Sequence, residues 1–237
     1  MTKLSVNINK IATIRNARGG TVPNVVESAK RIQEFGAHGI TVHPRPDERH
    51  ITYQDVKDIA PTIKTEFNIE GYPNRDWLDL VIKTKPTQAT LVPDPPGVLT
   101  SNAGWDTIEH ADFLKEVLNE LSSNGIRTSI FIGCEKELIE KAKEVGSDRI
   151  ELYTEPFADR FGSDKHESVK AFSSASKTAH DVGLGVNAGH DLNLENLRFF
   201  KDSLPHLDEV SIGHALISDA LYFGLENTVQ MYLSKLS

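Results

Sequence analysis

Cysteine is nearly absent from this chain, which has Cys134 alone among its 237 residues. A single thiol excludes a disulfide within the chain and a zinc site built from several cysteines. Long apolar runs are also missing, since no stretch approaches the roughly 20 residues that a membrane-spanning helix needs. The first residues lack the basic start and the long apolar core of a signal peptide. We therefore expect a cytoplasmic protein that does not act on membranes.

An excess of positive charge is lacking as well. The formal net charge is −8, from 34 acidic and 26 basic residues, which argues against non-specific binding to nucleic acid. A local group of arginines and backbone N–H groups can still hold a phosphorylated metabolite. The chain is 38% hydrophobic and 25% charged, the composition of a globular protein, and its length suits one large α/β domain or two small ones.

A helix, a glycine and an apolar strand follow one another four times along the chain. The four glycines are Gly36, Gly125, Gly146 and Gly183, and each stands where left-handed backbone commonly ends a helix. The strand begins within a few residues, as short αβ loops require. This repeat predicts βα units and a parallel sheet.

Eight strands and eight helices can be placed on the sequence. The predicted strands are 3–8, 38–43, 67–71, 88–93, 127–132, 148–153, 184–189 and 207–212. The predicted helices are 23–35, 52–65, 74–84, 108–123, 135–145, 165–182, 193–203 and 215–235. This count predicts an α/β protein with a (β/α)8 TIM barrel as a single domain over residues 1–237. A doubly wound sheet usually has fewer strands and often a GxGxxG turn, which this sequence lacks. Residues 94–106 are expected to form a lid or a short extra helix, and 159–165 a mobile loop.

Polar residues follow the predicted strands, at the barrel end where TIM-barrel enzymes build their sites. His43, Glu70, Glu151, His190 and His214 are the principal examples. A glutamate in an apolar strand is rare unless it is paired or functional, so Glu70 is either a general acid–base or the partner of an arginine; the same two readings apply to Glu151. The glycine before His214 is either part of a phosphate site at a helix N-terminus or an ordinary tight turn. Asp47, Glu48 and Arg49 are interpreted as a solvated loop, and Cys134 as a residue without a chemical role.

Several motifs resemble those of the pyridoxine 5′-phosphate synthase family. They are Asn7–Thr13, Arg15–Gly19, Gly39–His43, Arg45, Arg49–Ile51, Val186–His190 and Ile212–Ala215. The resemblance runs from the first strand to the last helix. It implies a TIM barrel with added helices that assembles as a homo-octamer. It further implies an enzyme of vitamin B6 biosynthesis that condenses 3-amino-2-oxopropyl phosphate with 1-deoxy-D-xylulose 5-phosphate. The products would be pyridoxine 5′-phosphate, phosphate and water, made with no cofactor and no metal.

The resemblance also implies roles for individual residues. His43 and Glu70 would accept protons and His190 would donate one. Contacts with the substrates or their phosphates are implied for Asn7, Asn9, Lys10, Arg18, Arg45, His50, Thr100, Glu151, Asp191, Gly213 and His214. Arg18 would act across a subunit contact. The chain departs from the family's best-known motifs at Asn9-Lys10, where Asp-His is usual, and at Asp191, where glycine is usual.

Two other functions remain open at this point. A metal-dependent barrel hydrolase could use His43, His190 and His214 with a carboxylate, although the first strand has Asn7-x-Asn9 rather than the His-x-His common in such enzymes. A non-catalytic protein that binds a phosphorylated ligand is the second alternative. It would need no carboxylate buried beside histidines.

Overall fold

Eight parallel strands close into a barrel in the computed structural model, which describes residues 1–94 and 103–237. The strands are β1 (Lys3–Asn7), β2 (Gly39–Val42), β3 (Glu66–Gly71), β4 (Gln88–Leu91), β5 (Arg127–Ile132), β6 (Arg149–Tyr153), β7 (Gly185–Gly189) and β8 (Glu209–Ile212). Each strand pairs with the next, and β8 returns to β1 with Lys3 opposite Glu209 and Val6 opposite Ile212. The prediction of a (β/α)8 barrel is confirmed, and each strand lies within two residues of its predicted bounds.

Ten α-helices are present in the described part of the chain. They are α1 (Asn9–Asn16), α2 (Val25–Glu34), α3 (Tyr53–Ile59), α4 (Arg75–Thr84), α5 (Ala111–Ser123), α6 (Lys136–Glu144), α7 (Glu155–Asp181), α8 (Leu197–Ser203), α9 (His214–Phe223) and α10 (Leu225–Leu236), with a 3₁₀ turn at Ala60–Thr62. Across these same residues, no helix has both the length and the apolar character that crossing a membrane would require.

The local signals that predicted the helices have clear structural counterparts. Thr52 and Asp55 form a capping box at the start of α3, because each side chain accepts a hydrogen bond from the other residue's backbone N–H. The four glycines that end helices all have positive φ, between 75° and 100°. Such backbone is easily adopted only by glycine, which explains the repeated helix–glycine–strand pattern.

Three predicted segments are wrong. No helix was expected at Asn9–Asn16, yet α1 forms there and buries Ile11. The loop predicted at 159–165 lies inside α7, whose only break is Asp164, with φ −153° and ψ 88°. The single helix predicted at 215–235 is two helices, because Gly224 between them has φ 78°. The segment predicted as a lid, 94–106, falls largely outside the described residues.

The interior of the barrel is polar, unlike the usual filling of bulky branched side chains. Asn187 on β7 donates from Nδ2 to Oε1 of Gln88 on β4 (3.4 Å), a bond between strands that are not neighbours and therefore one that crosses the lumen. Arg127 donates to Gln88 and Arg149 to Asn187, both at 2.9 Å. The buried apolar side chains of the strands point the other way and pack against the helices. They include Leu4, Val6, Ile40, Val42, Ile69, Leu91, Ile130, Ile150, Val186 and Val210.

Gly71, at the end of β3, allows Trp77 of α4 to pack against the strand. The indole Nε1 donates to the backbone oxygen of Glu70 (3.0 Å), and a Cβ at position 71 would lie 2.2 Å from that nitrogen. The indole thus fixes the backbone that carries Glu70. Because Trp77 is 1% exposed, it has little room to move aside.

We expect Gly71→Ala to destabilise the protein by about 1–3 kcal/mol, since the added methyl overpacks a rigid contact. Urea denaturation followed by circular dichroism would measure the change in the free energy of unfolding. Gly162→Ala is the matched control, because a Cβ there meets nothing within 4 Å and alanine favours a helix by about 0.5–1 kcal/mol. Equal stability of Gly71→Ala and the unmutated chain would contradict the packing role of Gly71.

Candidate active site

A cavity of about 260 Å³ opens at the carboxyl ends of the strands. Eleven of the predicted site residues line it: Asn7, Asn9, Lys10, His43, Arg45, His50, Glu70, Glu151, His190, Gly213 and His214. The structure adds five lining residues that were not predicted: Thr13, Arg49, Val92, Phe131 and Ser211. Residues separated by up to 207 positions in sequence therefore surround one enclosed space.

Glu70, near the end of β3, lies at the centre of this cavity wall. Its side chain is only 12% exposed, and its two carboxyl oxygens face donors from opposite sides of the β1–β8 seam. Asn7 Nδ2 lies 3.4 Å from Oε2, and Ser211 Oγ lies 3.4 Å from Oε1. Enclosure away from water raises the pKa of Glu70 to about 7, because the charged form loses its hydration. Glu70 can therefore both accept and donate a proton near neutral pH.

His43 is buried beside Glu70, with Nδ1 3.8 Å from Oε2 of the carboxyl group. Its backbone N–H donates to Oδ1 of Asn9 (3.0 Å), and the N–H of Asn9 donates to Oδ1 of Asn7 (3.0 Å). These bonds tie the start of α1 to the end of β2. Burial, followed by the positive charge of Arg45, holds the pKa of His43 well below its usual range. The imidazole is therefore neutral at pH 7.

His190 follows β7 and has the opposite electrostatic setting. Its Nδ1 lies 2.7 Å from Oδ2 of Asp191, and this pairing, opposed in part by burial, raises the pKa of His190. The side chain is 41% exposed, in contrast to the buried His43. The cavity thus holds one histidine that favours the neutral form and one that favours the charged form.

Glu151 on β6 is a second carboxyl group in the cavity wall. It is buried, and Oε2 has no hydrogen-bond partner among the described residues. Burial, with the nearby charge of Glu70 as the next cause, raises the pKa of Glu151 well above its ordinary value. Gly189 on β7 leaves room for the Glu151 side chain and for the neighbouring strand β8. A Cβ at position 189 would lie 3.0 Å from Oε1 of Glu151 and 2.5 Å from the backbone oxygen of Ser211.

Cationic groups line another part of the cavity. Arg45 is buried and donates from Nη2 to Oδ2 of Asp94 (2.6 Å). Arg49 and Lys10 also line the space. Burial, followed by the charges of Arg45 and Lys10, lowers the pKa of His50 to about 4. An anionic ligand is favoured in such surroundings.

Some residues that were predicted to contact the substrates do not line the cavity, and some that do line it were interpreted differently from the sequence. Arg18 is exposed and does not line the cavity, and Asp191 contacts His190 rather than the cavity itself. Thr100 lies outside the described residues. The interpretation of residues 47–49 as a solvated loop is wrong for Arg49, which lines the cavity, although Asp47 and Glu48 are exposed. Asp94 was missed as the partner of Arg45; its place three residues after the end of β4 was the available signal.

Metal ligation finds no geometric support in the part of the chain that the structure describes. No three His, Cys, Asp or Glu side chains there converge as a metal ion would require. The metal-dependent hydrolase considered from the sequence therefore lacks a ligand set within residues 1–94 and 103–237. Burial raises the pKa of the Cys134 thiol to about 12, which agrees with its interpretation as unreactive.

Comparison with known families identifies the chain. The family model described as "Pyridoxal phosphate biosynthesis protein PdxJ" matches residues 4–237. The chain belongs to the PdxJ family. Relatives include a pyridoxine 5′-phosphate synthase of Christiangramia forsetii, 62% identical over 236 residues and covering 100% of both chains. One of Bacteroides fragilis is 61% identical over 232 residues and covers 98% of each chain. The family resemblance drawn from the motifs is confirmed, and with it the prediction of an enzyme.

Solved structures of more distant proteins share the fold of this PdxJ-family chain. Thiamine phosphate pyrophosphorylase from Pyrococcus furiosus has a TM-score of 0.64 at 15% identity, covering 99% of this chain and 95% of that one. Phosphoribosylanthranilate isomerase from Thermotoga maritima has a TM-score of 0.61 at 16% identity, covering 100% and 98%. At such identities the likeness concerns the barrel alone.

We expect the Glu70 carboxyl to titrate at about pH 7, in contrast to about 4.3 for an exposed glutamate. Chemical shifts of ¹³C-labelled glutamate side chains against pH would measure it, with the Glu70 signal assigned by its loss in Glu70→Gln. Ser211→Ala should raise the pKa further, because it removes a donor to the charged form. The exposed Glu27, whose pKa is lowered chiefly by its hydrogen bond with Arg31, is the internal control. A Glu70 titration as low as that of Glu27 would contradict this assignment.

Proposed function

We propose that this chain catalyses the synthesis of pyridoxine 5′-phosphate. The substrates would be 3-amino-2-oxopropyl phosphate and 1-deoxy-D-xylulose 5-phosphate, with phosphate and water released beside the product. The observation that carries this proposal is one cavity in which Glu70 has a pKa of about 7 beside one histidine with a lowered pKa and one with a raised pKa. Membership of the PdxJ family over residues 4–237 supports the same reaction.

The reaction needs several proton transfers, and we assign them to three titratable groups, His43, Glu70 and His190. Ring closure requires an imine between the amine and a ketone, elimination of phosphate and loss of water. His43 and Glu70 are proposed as proton acceptors, because the first is neutral and the second loses its proton near pH 7. His190 is proposed as a proton donor, since the partner carboxylate favours its charged form. Groups with pKa values pushed apart in this way can act in opposite directions at one pH.

Phosphate groups are proposed to lie against the N-terminus of α9 and the cationic wall. Gly213 precedes α9, and a Cβ there would lie 3.0 Å from Asn7 Cβ, so glycine allows the close packing of β8 and β1 at this point. The N–H groups that begin a helix favour an anion. Lys10, Arg45 and His50 are also proposed to contact the substrates, and Asn7, Asn9, Glu151, Asp191 and His214 complete the proposed contacts.

Further features are proposed on the family resemblance. We propose a cytoplasmic homo-octamer of one domain per chain, with Arg18 acting across a subunit contact. The exposed position of Arg18 at the C-terminal end of α1 is compatible with that role. Thr100 is proposed as a substrate contact. Nucleic acid, metal ions and cofactors have no part in the proposal.

A mixing assay tests the proposed function. Purified protein would be combined with both substrates in the presence of a chelator and without nucleotide, and pyridoxine 5′-phosphate and free phosphate would be quantified by mass spectrometry and a phosphate assay. We expect both products in equal amounts. Binding of the two substrates to folded protein without product would contradict catalysis and favour the phosphate-ligand binding protein.

We expect Glu70→Gln to lower the turnover number by about 10²–10⁴-fold, the usual contribution of a general acid–base, while substrate affinity changes little. Glutamine keeps the shape of the side chain and loses only its titration. Turnover would be measured in the mixing assay, and the affinity for 1-deoxy-D-xylulose 5-phosphate by calorimetry. Glu27→Gln, a change on the exposed face of α2, is the control. Near-normal turnover of Glu70→Gln would remove this residue from the mechanism.

A further inference from the structure

The backbone of His190 has an unusual conformation. Its φ is 88°, in a region that residues with bulky side chains rarely adopt. Such strain is kept where surrounding contacts determine it, often at a functional site. The residue directly follows β7 and lines the cavity. The contacts that hold this conformation therefore also determine where the imidazole lies.

Thr154, immediately after β6, supports the backbone on both sides of His190. Its hydroxyl Oγ1 donates to the backbone oxygen of Gly189 and accepts a hydrogen bond from the backbone N–H of Asp191 at 3.2 Å. Asn196 adds a bond from Nδ2 to the backbone oxygen of Asp191 (3.2 Å). Thr154 is fully buried. One hydroxyl thus connects the residues before and after His190.

This left-handed turn lets two consecutive side chains meet. Successive side chains of a strand point to opposite faces, so neighbours at i and i+1 do not normally contact each other. The turn at His190 ends that alternation, and Oδ2 of Asp191 lies 2.7 Å from Nδ1 of the imidazole. This distance is that of a charge-assisted hydrogen bond.

We propose that Asp191 is a positioning residue for His190. Its carboxylate accepts the hydrogen bond from Nδ1–H, which fixes the orientation of the ring and stabilises its charged form. Thr154 sets the backbone geometry in which the two side chains meet. Proton exchange with the substrate is then assigned to Nε2. The inference deepens the proposed function, on which the donor role of His190 rests.

The surroundings of His190 are consistent with this assignment. Glu70 on β3 and Glu155 at the start of α7 add negative charge, and both act in the same direction as Asp191 on the pKa of His190. The ring centroid of Tyr153 on β6 lies 6.4 Å from that of His190, and His43, just after β2, is close enough for the charge of His190 to lower its pKa. Among these groups Asp191 is the first cause of the raised pKa, through its hydrogen bond with Nδ1.

The effect on the pH dependence has a definite sign. A proton donor must be charged, so activity falls as pH rises through the pKa of His190. Removing the carboxylate of Asp191 lowers this pKa and moves the alkaline limb of the turnover profile to lower pH. The acid limb follows loss of the proton from Glu70, whose pKa the charge of His190 lowers; it should move in the opposite direction, to higher pH.

Titration of His190 in Asp191→Asn tests the inference without any substrate. The protein would carry ¹⁵N-labelled histidine, with the His190 signals assigned by their loss in His190→Asn. We expect the pKa of His190 to fall by about one unit, the low end for loss of an adjacent opposite charge, and the alkaline limb of turnover to move equally. Asp191→Glu, which keeps the charge, should recover part of the shift. Asp202→Asn, at the far end of α8 and exposed, is the control and should change neither quantity.

Two results would overturn the inference. One is an unchanged His190 titration in Asp191→Asn; the other is a shift of equal size in Asp202→Asn. Thr154→Val and Thr154→Ser provide a second comparison, since only serine keeps the hydroxyl, and both variants can be checked for folding by thermal melting. We expect the raised pKa of His190 to persist in Thr154→Ser and to fall in Thr154→Val. Absence of product from the unmutated protein would instead contradict the proposed function, because the titration requires no turnover.

Discussion

Pairing of β8 with β1 is the constraint on which the site depends. It closes the barrel and brings Asn7, from the first strand, and Ser211, from the last, to the two oxygens of Glu70. Without this seam the carboxyl group would face water, and its pKa would return toward that of an exposed glutamate. The same closure places His43 and His190 at one cavity although they are 147 positions apart in sequence. The chemistry is therefore a product of topology as much as of residue type.

Electrostatic contrast within a small volume is the second principle of the site. Two histidines of the same intrinsic basicity are driven in opposite directions, His43 by burial and neighbouring cations and His190 by a carboxylate. Two glutamates, Glu70 and Glu151, share one low-dielectric wall, where the charge of one disfavours the charge of the other. The cavity thus holds chemically identical groups whose pKa values are shifted apart by their surroundings.

Much of the fold could be predicted because its signals are local. Glycines at helix ends and short apolar strands recur with a regular spacing, so the strand positions and the barrel followed from the sequence. The helix α1 was missed because its eight residues bury little apolar surface and carry no N-cap side chain. The kinked helix α7 was read as a loop followed by a helix, since Gly162 and Asp164 interrupt its pattern.

Site residues could be predicted where a residue type that rarely has a structural role stands at the end of a strand. They were harder to predict where contacts between elements distant in sequence determine which side chains reach the cavity. His43, Glu70 and His190 belong to the first class. Arg49 belongs to the second, because its charged neighbours in sequence are typical of a solvated loop, and only the fold turns it toward the cavity. The partnership of Arg45 with Asp94 spans 49 positions, so no short sequence pattern links the two residues.

The polar lumen has a consequence for how the barrel chooses its strand register. Volume-conserving exchanges of apolar side chains cost little, so packing between strands and helices constrains the register chiefly through which face each side chain occupies. Hydrogen bonds across the lumen, such as that between Asn187 and Gln88, require particular donors opposite particular acceptors. A slip of one residue would turn Arg127 and Arg149 out toward the apolar helix layer. Packing of the strands against the helix layer thus stabilises the barrel, while the hydrogen bonds across the lumen can all form in only one strand register.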